Sequence, residues 1–89
     1  MRAETIWLMR AIRARYPDVE AGAMVDPYAA AHDAALNPDG PGYDTAIREL
    51  LDAHALRSSP EWDRLTSTAV GVNPQYEVTS KGELMISGA

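Results

Sequence analysis

The stretch QYEVTSKGELMI, residues 75–86, decides the predicted fold. Its first half alternates apolar and polar side chains, which is typical of a strand with one buried face. The Ser-Lys-Gly segment, residues 80–82, ends this strand, because glycine beside polar residues marks a turn. Residues 84–86 are apolar again, and residues 83–86 form either a short helical turn or a third short strand.

The segment before this stretch supplies a partner strand. Residues 65–72, LTSTAVGV, are rich in β-branched and apolar side chains, and Asn73-Pro74 provides a turn after them. Residues 65–72 and 76–79 therefore predict a β-hairpin.

Helices are predicted before the hairpin. Residues 3–16 place their apolar side chains at helical spacing, and Pro17 ends this helix because a proline disfavours helical geometry in the residue before it. Asp26 and Pro27 suit the N-cap and first position of a second helix, which ends near Leu36. Its inward face is predicted to comprise Tyr28, Ala31, His32 and Ala35.

A third helix, residues 43–53, follows the turn-rich loop NPDGPG at residues 37–42. Its apolar stripe is predicted to comprise Tyr43, Ala46, Ile47, Leu50, Leu51 and His54. The polar segment RSSPEWDR, residues 57–64, is either a single helical turn or a loop anchored by Trp62.

Length and composition indicate one domain spanning residues 1–89. The chain has no cysteine, which excludes disulfides and thiolate zinc sites and fits a reducing cytoplasm, so we expect a cytoplasmic protein. No apolar run approaches the roughly 18 residues of a membrane span. Arginines interrupt the apolar part of the N-terminal segment, which argues against a signal peptide. We therefore expect no membrane partner.

Charge is unevenly distributed along the chain, whose net charge is −5. Residues 1–16 carry four arginines and one glutamate, a net charge of +3, whereas residues 17–89 carry a net charge of −8. An acidic balance argues against tight non-specific DNA binding, because such binding depends on neutralising phosphates.

Two segments resemble bacterial winged helix-turn-helix proteins. YEVTSKG, residues 76–82, resembles the Tyr-x-Leu-Thr-x-Lys-Gly signature that closes the wing, and AIRELLDAHAL, residues 46–56, resembles the end of their third helix. The resemblance covers roughly residues 40–86 and implies an α+β domain with three helices followed by a C-terminal β-hairpin wing. Where the family has a left-handed glycine, this chain has His54, which adopts that conformation at some cost.

The resemblance also implies a DNA-binding surface, because winged-helix domains place the third helix in the major groove and the wing along the backbone or minor groove. The residues implied as DNA contacts are Thr45, Arg48, Asn73, Gln75 and Lys81. The same helix carries Asp44, Glu49 and Asp52, and carboxylates repel phosphates. Two functions remain open: a small DNA-binding transcription regulator, and a protein-interaction module that kept the fold without a DNA-binding surface.

The first helix provides a candidate interface. Trp7 lies nearly opposite the buried stripe, so it either contacts a partner or packs beneath another segment of this chain. The predicted interface residues are Arg2, Trp7, Arg10 and Arg13. Tryptophan and arginine are enriched at interface hot spots, so a homodimer or another protein partner is a serious hypothesis.

No motif for catalysis or metal binding is present in the sequence. His32 and His54 are isolated from thiolates and from any HExxH pattern, and there is neither a GxSxG elbow nor a phosphate-binding loop. We expect no enzymatic activity, no metal and no cofactor. Tyr28, Tyr43 and Trp62 either line an aromatic groove or fill space between helices.

Overall fold

The fold combines helices with a small antiparallel sheet, and a computed structural model describes it for residues 1–58 and 73–89. In chain order the elements are α1 (Ala3–Arg15), β1 (Met24–Val25), α2 (Pro27–Asp33), α3 (Pro41–Asp52), β2 (Leu56–Ser58), β3 (Tyr76–Val78) and α4 (Ser80–Ser87). The predicted α+β class is therefore confirmed. The predictions for Trp62 and for a strand at 65–72 lie outside the described residues.

Helix α1 matches its predicted position. Thr5, Leu8, Met9 and Ile12 are buried as the helical spacing predicted. At the end of the helix the Tyr16 N–H donates to the Ile12 carbonyl, and the Tyr16 hydroxyl accepts a hydrogen bond of 2.9 Å from the Asp26 N–H. Tyr16 thus connects α1 to the start of α2.

Helix α2 begins as predicted. The Asp26 side chain accepts a hydrogen bond from the Ala29 N–H at 3.0 Å, which satisfies an otherwise unpaired donor of the first turn. The helix ends at Asp33, three residues before the predicted end at Leu36. The prediction that His32 and Ala35 face inward is wrong, because the His32 side chain is exposed within the helix and Ala35 lies exposed beyond its end.

Helix α3 begins two residues earlier than predicted, because Pro41 takes the first helical position after Gly40. Ala46, Ile47 and Leu50 are buried, whereas His54 is exposed, in contrast to the predicted stripe.

The helices α2 and α3 end in the same way. Ala35 and His54 both have φ of +59°, and in each case the next N–H donates to a carbonyl five residues earlier, as in the Schellman motif. His54 thus has the left-handed conformation that the glycine of the resembled family takes at this position.

The sheet has the strand order β1-β3-β2, with β3 antiparallel to both neighbours. The predicted strand at 76–79 is confirmed as β3, but its described neighbours are β1 and β2, and neither of these was predicted. Leu56 lies opposite Val78, and both side chains are buried. Arg57 lies opposite Glu77 and forms an ion pair with it on the outer face.

The segment after β3 differs from the prediction. Lys81 and Gly82 do not follow a longer strand as a turn but form the first turn of α4, so the described part of the chain has four helices instead of three. Thr79 is the N-cap, and its side chain accepts a hydrogen bond of 3.0 Å from the Gly82 N–H. The chain therefore does not end in a hairpin.

The core lies where α1 packs on α2, α3 and α4, with the sheet completing it. Its buried side chains come from every element; the largest fully buried ones are Ile12, Leu50, Leu56, Ile86, Val25, Val78, Thr5 and Pro27. In the described residues, these elements pack on one side of α1, and Trp7 on its other side is exposed to solvent.

Candidate functional site

An open groove of about 250 Å³ lies beside Trp7, between α1, the end of α2 and the first half of α3. Its apolar lining comprises Trp7, Leu8, Ala31, Leu36, Tyr43 and Ala46. Trp7 is 50% exposed, although it is the largest apolar side chain of α1. A large, half-exposed aromatic side chain beside an apolar groove is typical of a contact surface.

The shape of the groove follows from small residues on facing helices. Ala31 of α2 and Ala46 of α3 are both buried, and their short side chains leave space above the buried Leu8 of α1. Tyr43 and Leu36 close the sides. The groove is therefore a space between helices that the side chains of this chain do not fill.

The tyrosine side of the groove is held in place by further contacts. Tyr43 packs edge-to-face against Tyr28, with ring centroids 5.8 Å apart, and the Tyr28 hydroxyl donates to Asp39 at 2.7 Å. That hydrogen bond raises the pKa of Tyr28, and burial raises the pKa of Tyr43 well above its usual range. These contacts fix the Tyr43 ring at the side of the groove.

The arginines predicted to flank Trp7 have different surroundings. Arg13 donates to the main-chain oxygens of Ser87 and Ala89, so its side chain joins α1 to the end of α4. The Arg2 main-chain N–H donates to Glu49 at 3.0 Å, which lowers the pKa of that carboxyl. Arg10 is exposed on α1, one turn beyond Trp7. Of the predicted interface residues, the exposed side chains are therefore Arg2, Trp7 and Arg10.

The outer face of α3 is mainly acidic. Thr45 and Arg48 lie together there with Glu49 and Asp52 along a shallow depression, and the Thr45 hydroxyl donates to the Pro41 carbonyl at 3.0 Å. Asp44 is exposed as well. One arginine therefore stands among three carboxylates, which is unfavourable for approach to phosphates.

The other residues predicted to contact DNA lie on different elements. Asn73 donates from its side-chain nitrogen to Asp26 at 3.2 Å, so it is tied to the start of α2. Gln75 is half-buried next to β3, and Lys81 is exposed in the first turn of α4. Of these five residues, Thr45 and Arg48 share one depression.

The described residues form neither a metal site nor a membrane-spanning helix. Within 1–58 and 73–89, no group of three or more histidine, aspartate or glutamate side chains is arranged to hold a metal ion. The helices of these same ranges are too short or too polar to cross a bilayer.

Sequence reasoning identified part of the groove. It singled out Trp7 and offered Tyr43 as a possible wall of an aromatic groove, but it did not include Leu36, Ala31 or Ala46. The available signal was the pair of alanines on the inward faces of two consecutive helices, since small residues leave space that a neighbouring side chain has to fill.

Comparisons of the chain with protein-family models, with curated proteins and with solved structures give no match.

Proposed function

We propose that this chain is a winged-helix-type domain that acts as a non-enzymatic protein-interaction module through the groove beside Trp7. The observation that carries the proposal is the half-exposed Trp7 beside an apolar, unfilled groove. The winged-helix assignment is supported by the order of the helices and by β2 and β3, which are adjacent antiparallel strands as the two arms of a wing are.

The energetic argument concerns the surface that Trp7 leaves in water. A tryptophan side chain offers about 200 Å² of surface, so half exposure leaves about 100 Å² uncovered. At about 25 cal/mol per Å², covering that area is worth about 2.5 kcal/mol. This is the size of a binding hot spot, before the area of the groove itself is added.

The electrostatic argument concerns α3. A helix that reads DNA has to approach a dense row of phosphates, and basic side chains normally neutralise them. Arg48 is accompanied on its face by Asp44, Glu49 and Asp52. This charge pattern favours contact with a polypeptide over contact with nucleic acid.

DNA binding as a small transcription regulator is the second candidate function. It is favoured by the exposure of Arg48 on the third helix, the element that enters the major groove in winged-helix proteins. In that case Thr45, Arg48, Asn73, Gln75 and Lys81 would approach DNA.

The first experiment separates the two candidates. Fluorescence anisotropy with random duplex DNA, at low and moderate salt, should give no salt-sensitive binding if the module works through proteins. Binding that Arg48→Ala abolishes would support the regulator. Binding that survives Arg48→Ala but is lost when Arg2, Arg10 and Arg13 are all neutralised would place DNA on α1 and would contradict the proposal.

The second experiment tests the groove directly. A photo-crosslinking amino acid replaces Ala3, which is exposed one turn before Trp7, and the protein is irradiated in the cells that make it. A defined protein adduct that disappears with Trp7→Ala supports the proposal. A crosslinker at Leu84, which is 76% exposed on α4, is the matched control and should not form that adduct. Absence of any Trp7-dependent adduct would contradict the proposal.

A further inference from the structure

We infer that the groove beside Trp7 is covered by a second copy of this chain, with the two α1 helices crossing antiparallel at a two-fold axis near Trp7. The inference rests on the proposed function and names its partner. It is derived from the placement of charges on the exposed side of α1.

The charges on either side of Trp7 are complementary under this symmetry. In an antiparallel helix pair with a two-fold axis at one residue, positions equally far before and after that residue lie at the same height on the two helices, and each contact occurs twice. Glu4 lies three residues before Trp7, and Arg10 lies three residues after it. All three side chains are exposed. Glu4 of each copy therefore faces Arg10 of the other copy, which gives two equivalent ion pairs around the two tryptophans.

A parallel arrangement is disfavoured by the same charges. It would set Glu4 against Glu4 and Arg10 against Arg10, and like charges held together at an interface are repulsive. The charges of α1 therefore favour a second copy of this chain as the partner, with the two α1 helices antiparallel.

Within residues 1–58 and 73–89, neither of these two charges is used in the fold. In the described residues, Arg13 is bonded to the end of α4, Arg15 pairs with Asp33, and Arg57 pairs with Glu77. Glu4 and Arg10 are engaged in no hydrogen bond or ion pair in these ranges. They are thus available to the second copy at no cost to the fold.

The groove accounts for the apolar part of the contact. Trp7 forms one of its walls, so a two-fold axis near Trp7 brings the two tryptophans together and sets the two grooves beside them. Leu36 and Tyr43 lie on the far side of the groove and would be covered by the incoming α1. The result is an apolar centre with a charged rim, which is the usual anatomy of a specific interface.

A charge-exchange experiment tests the inference on the full chain. Sedimentation equilibrium should show a dimer for the wild-type protein. The substitutions Glu4→Arg and Arg10→Glu should each weaken dimerisation by about tenfold or more, because each creates like charges at both pairs. An equimolar mixture of the two variants should dimerise again, because each copy then meets opposite charges on the other. Circular dichroism checks that both variants remain folded.

Three results would overturn the inference: a wild-type protein that remains monomeric at all concentrations, a dimer insensitive to both substitutions, or two weakened variants that do not associate when mixed. Leu84→Ala, which removes an exposed apolar side chain elsewhere, is the control and should leave the dimer unchanged. A monomeric protein that still forms a Trp7-dependent adduct with a different protein would contradict the dimer and retain the proposed function. If the protein is monomeric and forms no Trp7-dependent adduct, both the dimer and the proposed function are contradicted.

Discussion

Gly82 lies directly against the main-chain carbonyl of Ala55. A β-carbon at Gly82 would stand 1.9 Å from the Ala55 oxygen, closer than any real contact. The glycine belongs to the first turn of α4, and Ala55 joins the end of α3 to β2. This contact gives the Lys-Gly pair of the YEVTSKG segment a packing role, because only a glycine allows α4 to approach the chain there.

Gly82→Ala should therefore destabilise the protein strongly. The clash involves backbone atoms and cannot be relieved by rotating a side chain, so we expect a loss of about 2–3 kcal/mol or more in the free energy of unfolding. Urea denaturation followed by circular dichroism measures it. Gly42→Ala is the matched control in the first turn of α3, where the nearest atom to a β-carbon is Glu4 Cγ at 3.4 Å. That variant should stay within about 1 kcal/mol of wild type. Equal stability of the two variants would contradict the close approach.

Thr79 holds the same junction through its hydroxyl. The oxygen accepts from the Gly82 N–H, and it lies within hydrogen-bond distance of the carbonyl oxygens of His54 and Ala55, to one of which it donates. Thr79→Ala should lower the free energy of unfolding by about 1 kcal/mol, the usual cost of losing an N-cap. Thr79→Ser keeps the hydroxyl and should recover most of that loss in the same urea titration. A serine variant as unstable as the alanine variant would show that the methyl group, not the cap, carries the effect.

Replacing either left-handed residue with glycine should stabilise the protein. Ala35 and His54 have φ of +59° and exposed side chains, so glycine relieves backbone strain without removing buried surface. Ala35→Gly and His54→Gly should each raise the free energy of unfolding by about 1 kcal/mol. Thermal unfolding should show an upward shift in Tm for each variant.

The control for these two variants is Ala34→Gly, since Ala34 is also exposed but has φ of −87°. Glycine offers no relief there, so that variant should be neutral or less stable than wild type. The idea of relieved strain fails if all three glycine variants shift Tm in the same direction.

Glu49 should contribute a pH-dependent part of the stability. The Arg2 N–H lowers the pKa of this carboxyl from its ordinary value of 4.5. A carboxyl with a lowered folded-state pKa stabilises the protein at pH values above its unfolded-state pKa, and this contribution is lost as pH falls through the folded-state value. Glu49→Gln should therefore be less stable than wild type at pH 7, and the difference should shrink as the pH is lowered below 4.5.

Urea titrations at pH 7 and in acid, on both proteins, measure that difference. Asp52→Asn is the control, because Asp52 lies on the same face of α3 and, in the described residues, accepts no hydrogen bond from a main-chain N–H. A gap for Glu49→Gln that is constant from pH 7 into acid would contradict the role of the Arg2 N–H.

Local signals in the sequence predicted much of the fold. The start of α2 followed from Asp26 and Pro27. Helix α1 and strand β3 followed from their periodicity. Each of these features depends on residues within one or two turns of one another, which is why pattern and capping rules reached them.

Features built from distant residues were missed. Strand β1 has only two residues, too few to show any periodicity, and it exists because Met24 and Val25 pair with β3. The first turn of α4, residues 80–82, was predicted to be a non-helical turn, because its glycine is favourable only where it meets Ala55, and a helical turn at 83–86 was one of two alternatives. The groove was predicted only in part. The helical spacing predicted that Trp7 is exposed, but Leu36 and Ala46 come next to Trp7 only when the three helices pack together.

The sequence by itself determined the α+β class and the starts of α1 and α2, because capping, proline geometry and hydrophobic period act between near neighbours in the chain. Tertiary structure decided which segments pair with β3, that Lys81 and Gly82 begin a helix, and that Arg13 is bound to the end of α4 while Arg10 is not. These outcomes depend on contacts between residues far apart in sequence, and such contacts arise only when the whole chain has packed.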